Sequence, residues 1–150
     1  MSLKTQTANM KTLAKLLSHN LGYIFGEREN GPNGAKSEFL TKARVFLSAL
    51  GKDLGLVVQK VHTNKAGIAV SGEVTLRGLW KPGNGLCVEL SQDLMNSHVL
   101  HYGPIYEMND YSTGFVVYVS LDTLRRANYA RLILDLMIFK EDFRDDWTAA

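Results

Sequence analysis

The sequence predicts an α+β fold: a curved antiparallel sheet of about five strands, preceded by two helices and followed by one, in the order α-α-β-β-β-β-β-α. Three observations carry this expectation. Apolar residues recur at helical spacing up to Asp53 and again from Leu121. Between them side chains alternate, most persistently over Ala66 to Trp80. The turn-forming clusters between the apolar runs are short, which favours antiparallel neighbours.

The first helix is expected from Ala8 to Asn20, where Met10, Leu13, Leu16 and Leu17 form an apolar stripe with Lys11 and Lys15 outside it. Gly22 is a plausible stop. Tyr23, Ile24 and Phe25 form a short apolar patch that would dock on the core. Residues 26–35 (GERENGPNGA) read as a loop, because their glycines, proline and asparagines disfavour regular structure. It does not match a phosphate loop: Gly34-Ala35-Lys36-Ser37 breaks the required Gly-Lys-Ser/Thr, and a helix precedes it instead of a strand. The second helix, Glu38 to Asp53, presents Phe39, Leu40, Ala43, Phe46, Leu47 and Leu50 on one face. Ser37 is its expected cap, and Glu38 and Lys42 pair on its exposed side.

Leu56 to Thr63 reads as the first strand and Thr63-Asn64-Lys65 as a turn. In Ala66 to Trp80 the even positions Ile68, Val70, Val74, Leu76 and Trp80 are apolar, while Ser71, Glu73, Thr75 and Arg77 occupy the odd ones. Gly72 and Gly78 interrupt the apolar face and predict bends or bulges. Lys81-Pro82-Gly83-Asn84-Gly85 is a turn signal. Leu86 to Gln92, His98 to Tyr102 and Phe115 to Val119 complete the strands, and Tyr106 to Gly114 forms a polar, aromatic loop. One C-terminal helix starts near Leu121, with Ser120 or Asp122 at its N-terminus and Leu121, Leu124, Tyr129, Leu132, Ile133 and Leu136 buried. The acidic stretch 140–150 is expected to fray, with Phe143 and Trp147 as its anchors.

A chain of 150 residues, 45% apolar and 21% charged, is expected to form one globular domain over 1–150. No window approaches the roughly 18 apolar residues of a membrane span, and the N-terminus does not read as a secretory signal. Cys87 is the one cysteine and has no internal partner, so a reducing, cytoplasmic setting is expected. The net charge of +2 is uneven: residues 1–60 hold nine Lys/Arg against four Asp/Glu, and residues 61–150 hold eight against eleven. A basic N-terminal third could touch an acidic partner such as nucleic acid, but a solvated helix face is the simpler reading.

Residue types that carry chemistry are present, but no catalytic set converges in the sequence. His98 and His101, three apart on a strand, should point to opposite faces and so not share a metal. No metal site and no cofactor are expected. Glu107 and Asp110 flank a loop with Tyr106 and Tyr111 and could do acid–base work, but Asn-Asp and Ser-Thr-Gly are also ordinary turn formers. Cys87 reads as a small buried hydrophobe rather than an activated thiol. Ser71 lacks the glycines of a nucleophile elbow. The most suggestive group is basic and aromatic: Arg77, Trp80, Lys81, Tyr102, Tyr106 and Tyr111. Such residues can stack bases and hold phosphates, but the favoured reading is that Trp80 continues the buried face of its strand and the tyrosines are half-buried packing.

Phe46 to Leu56 (FLSALGKDLGL), Gly67 to Leu76 (GIAVSGEVTL), Gly83 to Leu90 (GNGLCVEL) and Asp110 to Gly114 (DYSTG) resemble an uncharacterised domain family carried by plasmids, phages and integrative elements. The likeness spans residues 39–120 and implies a mobile-element accessory setting, without an activity. In arrangement alone, several strands followed by a helix are similar to the single-strand DNA-binding coactivator and Whirly-type folds.

The functional expectation is a non-enzymatic binding or accessory protein with a protein or nucleic-acid partner. One alternative is a small-ligand protein or enzyme with a pocket between sheet and helices, whose polar groups would be His101, Glu107 and Asp110. Another is a self-associating structural protein, a homodimer joined through a strand edge or the last helix.

Overall fold

The computed structural model describes residues 2–18, 34–64, 72–93, 98–111 and 114–141. His19, the patch Tyr23 to Phe25, nearly all of the loop 26–35, the first part of the long alternating stretch (66–71) and the tail beyond Glu141 lie outside the described residues.

Helix α1 spans Leu3–Leu17 and α2 spans Ala35–Asp53. The first begins earlier than its apolar stripe suggests, because the Ser2 hydroxyl accepts the Thr5 N–H at 3.1 Å and caps it. The second also starts early, at Ala35, with Gly34 at its N-cap and no side-chain cap bond, so Ser37 lies inside the helix. All six residues of its expected apolar face are buried. Gln6 ties the two helices together by donating from Nε2 to the Phe46 carbonyl at 3.3 Å, in a buried setting where an unpaired amide would be costly.

Five strands follow: β1 Val58–Asn64, β2 Glu73–Lys81, β3 Asn84–Asp93, β4 His98–Ile105 and β5 Val117–Ser120. They form one open sheet in sequence order, every neighbour antiparallel. At the β2–β3 hairpin Pro82 presets its own φ and Gly83 takes φ +81°, which a residue with a Cβ adopts only under strain. Gly78 is not the expected bulge. It pairs regularly with Gln59 and Leu86, and the irregularity falls between Leu79 and Lys81. Its missing side chain serves close packing instead: a Cβ there would lie 2.5 Å from Leu56 Cδ1.

The expected single C-terminal helix is two. Helix α3 is Leu121–Arg126 and α4 is Tyr129–Met137. Ser120 caps the first and Asn128 the second, its side chain accepting the Arg131 N–H at 3.2 Å. Ala127 and Asn128 are extended between them, and Thr7 of α1 accepts the Tyr129 N–H at 3.0 Å. A continuous helix would satisfy that N–H internally. The cap and the tertiary bond together outweigh the apolar periodicity that runs across the break.

The helices lie on one face of the sheet. Val74, Leu76, Trp80, Leu86, Val88, Leu90, Leu100 and Tyr102 point into this layer and meet Phe39, Phe46, Leu47, Leu50, Leu124, Tyr129 and Leu136. Tyr129 packs edge-on against Phe46, with ring centres 5.9 Å apart, and its hydroxyl donates to Asp53 at 2.6 Å. Burial, then Asp53, raises the pKa of that phenol. Among the described residues, the side chains between sheet and helices form one buried cluster. Trp80 is 6% exposed, and its Nε1–H donates to the Leu54 carbonyl at 2.8 Å, so the far end of β2 belongs to the core. Trp80→Ala should therefore lower the unfolding free energy by about 3–5 kcal/mol in a urea titration. A loss below about 1 kcal/mol would show that the indole is dispensable to the core.

Candidate functional site

Because the helices cover one face, the other presents the opposite parity of each strand. Antiparallel register turns that parity into rows. One row runs His62, Thr75, Glu89, His101, Tyr118 across all five strands. A second runs Lys60, Arg77, Cys87, Gly103, and a third joins Asn64, Glu73 and Ser91. The odd positions Glu73, Thr75 and Arg77, legible as the polar face of β2, thus become the centre of a polar sheet surface.

Arg77 organises one end of this surface. Its Nε donates to the Met108 carbonyl at 3.1 Å and its Nη2 to the Asp110 carbonyl, while its Nη1 lies 3.6 Å from Cys87 Sγ. The guanidinium also stacks on the Tyr111 ring, 4.4 Å from its centre. It thereby holds residues 106–111 over the sheet. Within that loop the Asp110 N–H donates to the Glu107 carbonyl at 3.1 Å, the geometry of a turn. Beneath lies a cavity of about 440 Å3, lined by Lys60, His62, Glu73, Thr75, Arg77, Cys87, Glu89, Gly103, Pro104, Met108, Asn109, Tyr111, Gly114 and Phe115. That volume lies within the range of small-molecule sites.

The polar centre is a hydrogen-bonded network. Glu89 accepts Thr75 Oγ1 on Oε1 at 3.5 Å and Ser91 Oγ on Oε2 at 3.4 Å, and His101 Nδ1 lies 3.3 Å from that same Oε2. Asn64 donates to Glu73 at 3.3 Å, and the Glu73 and Glu89 carboxyls are close enough to perturb each other. Burial, the Glu89 charge and hydrogen bonding with Glu89 raise the pKa of Glu73, while Asn64 and His62 oppose them. At Glu89 burial pulls the same way. Hydrogen bonds from His101, Glu73 and Ser91, with the pull of His101 itself, outweigh it and hold that carboxyl below its ordinary value. The two carboxyls are thus pushed apart, Glu73 toward its protonated form and Glu89 toward its anion. Cys87 differs from an activated thiol: burial lifts its pKa to about 11, against the pull of Arg77, so it stays protonated at neutral pH.

The six basic and aromatic residues do not form one surface. Trp80 and Tyr102 are buried under the helices, Tyr102 edge-on to Phe139 at 5.9 Å. Lys81 pairs with Glu141 at 3.1 Å at the sheet's end. Arg77 and Tyr111 come together at the open-face cavity, Tyr111 being 77% exposed, and Tyr106 is 55% exposed on the same loop. His101 is buried in the polar network, whereas Glu107 is exposed and Asp110 contributes a carbonyl to the Arg77 clamp.

The histidine pair departs from strand parity. The β4–β5 register slips between His98 and Leu100, so Val99 is an extra residue and His98 joins the face of His101. Both rings contact Tyr118, at 5.8 and 5.2 Å. Among the described residues, no three His, Cys, Asp or Glu side chains converge as a metal site, and no helix is long and apolar enough to cross a membrane.

Sequence reading missed Lys60, His62, Glu73, Thr75, Glu89, Met108, Asn109 and Phe115 as pocket residues. For Lys60, His62, Glu73, Thr75 and Glu89 the signal was the polar parity of β1, β2 and β3, but which polar residues meet depends on register, and Met108, Asn109 and Phe115 arrive through loop placement. Comparison with protein-family models, with curated proteins and with solved structures finds no match to this chain.

Two outcomes follow from this geometry. Arg77→Gln removes the charged hydrogen bonds that hold the loop, each worth about 1.5–3 kcal/mol. Chymotryptic cleavage after Tyr106 and Tyr111 should accelerate at least about tenfold, and an unchanged cleavage rate would show that the loop is held by other contacts. Folded Glu73 holds its proton more tightly than an unfolded glutamate. Its stabilising contribution is therefore complete below its ordinary value of 4.5 and is lost as pH rises through the raised folded value. Glu73→Gln escapes that loss. It should melt about 2–4 °C above the parent at pH 7, with the gap closing near pH 4, whereas an equal gap at both pH values would exclude the raised carboxyl.

Proposed function

We propose that this chain is a non-enzymatic binding protein whose ligand is a small polar molecule held in the open-face pocket. The observation that carries this reading is the cavity of about 440 Å3 on the sheet face left uncovered by helices, with acids, bases and aromatics converging on it. Pockets of this kind place a few polar groups within a largely preformed wall. The wall here is a sheet floor and a loop pinned by Arg77.

Two considerations favour binding over catalysis. The pocket's thiol, Cys87, is held in its protonated, weakly nucleophilic form. The histidine with a carboxylate partner, His101, is buried against Phe115 and Tyr118. A single-strand nucleic-acid ligand finds less support, since Trp80 and Tyr102, which would have to stack on bases, are in the core. An accessory role in a mobile-element setting accompanies this reading on the strength of the resemblance over residues 39–120. A reducing, cytoplasmic location accompanies it through the single cysteine.

Thr75 sits in the middle of the pocket floor, on a central strand where an aromatic side chain is well accommodated. A collection of small polar fragments titrated into the full chain should shift the amide resonances of Thr75, Cys87, Glu89, Gly103 and Phe115 together. Thr75→Phe, which fills the cavity, should weaken those fragments at least about tenfold. Shifts that avoid these residues, or a Thr75→Phe protein that binds as before, would refute the pocket as the binding site.

A further inference from the structure

We propose that the open-face pocket takes an organic cation, a primary amine or a guanidine, whose charged end docks on Glu73 beside Glu89. The inference rests on the pocket reading above and adds the class of ligand. It follows from asking which hydrogen-bonding capacity the site still offers. Three of the five Arg77 N–H groups are engaged, by Met108, Asp110 and Cys87. Thr75 and Ser91 spend theirs on Glu89, which also takes His101 and Glu73. Glu73 receives Asn64. A carboxylate has about four acceptor positions, so Glu73, which lines the cavity, keeps acceptor capacity for an incoming donor.

The placement of charge gives the ligand a direction. Lys60 and Arg77 form one row, and Glu73 lies four residues from Arg77 on β2, about 13 Å along the strand. The positive end of the pocket repels a cation toward the carboxyl end. Met108, Tyr111 and Phe115 supply polarisable walls for the ligand's body, and the Tyr111 ring already carries one cation, Arg77, on its face.

Docking is an exchange of one positive charge for another. At a pH where Glu73 holds its proton, the arriving ammonium or guanidinium displaces that proton to solvent. The groups that set this exchange are His62 from β1, Arg77 on β2 itself, Glu89 from β3 and, through Glu89, His101 from β4. Affinity for the cation must therefore rise with pH, by up to about tenfold per unit, until Glu73 is ionised without a ligand.

The test is calorimetric titration of the full chain with agmatine, butyramide and inorganic phosphate at pH 5 and 7.5, with resonance shifts read in parallel. Agmatine should bind, release a proton at pH 5, and bind at least about threefold tighter at pH 7.5. Glu73→Gln, which stays folded by the thermal criterion above, should weaken agmatine at least about tenfold and abolish the pH dependence. Agmatine binding that is indifferent to Glu73→Gln, or to pH, overturns the proposal. If butyramide or phosphate shifts the pocket residues and agmatine does not, the ligand class is wrong while the pocket stands. If none of the three shifts those residues, the cation proposal falls as well.

Discussion

A five-stranded sheet has two faces, and the helices of this chain cover one. Everything distinctive about the molecule follows from that asymmetry. The covered face can be purely apolar, because α1, α2, α3 and α4 supply matching leucines and aromatics. The uncovered face has no such layer. Its backbone is satisfied by the ladders, so its side chains must be stable beside water or be roofed by something else. Here both solutions occur. Glutamates, histidines and threonine satisfy one another along the middle rows, and the loop 106–111 roofs the neighbouring row through one arginine. The cavity is the space where roof and floor do not meet.

How much of this could be read in advance divides along the same line. The covered face was legible because burial imposes a period that a single strand displays by itself. Leu76 and Trp80, or Phe46 and Leu50, announce their side without knowledge of any neighbour. Element order, antiparallel pairing and the buried fate of Trp80 as one of two readings all came from that local signal. The uncovered face was not legible in this way. That Glu73 meets Glu89, or that Arg77 reaches Met108 across 31 positions of sequence, depends on register and on where a loop lands. Neither leaves a period in the chain. The search for an aromatic–basic patch grouped residues by type and proximity in sequence, and strand parity then sent Trp80 and Arg77 to opposite faces.

The two local errors have the same origin. The C-terminal apolar stripe runs through Ala127 and Asn128 without a gap, so periodicity predicts one helix. The break is set by Asn128 as a cap and by Thr7, more than a hundred positions away, accepting a backbone N–H. The histidine pair was assigned to opposite faces by strict alternation, and one extra residue at Val99 reverses the assignment. In each case a period of apolar residues was a correct statement about burial. It was an incomplete statement about backbone hydrogen bonding, which decides where an element stops or slips.

The carboxyl pair shows what such an arrangement costs and what it offers. Two acids brought together on a partly buried surface cannot both ionise cheaply. The folded state answers by dividing the burden: Glu89 is stabilised as the anion by His101, Ser91 and Thr75, and Glu73 is left as the member whose pKa is raised. A network built for stability alone would place an amide at one of the two positions, since an amide can donate a hydrogen bond to the other carboxyl permanently and carries no charge to repel its neighbour. A second carboxyl is the poorer structural choice at neutral pH. It becomes the better one when an outside cation enters, because only a carboxyl can surrender its proton and meet that cation with a full negative charge. The asymmetry between Glu73 and Glu89 is thus the feature that separates a site from a merely satisfied polar surface.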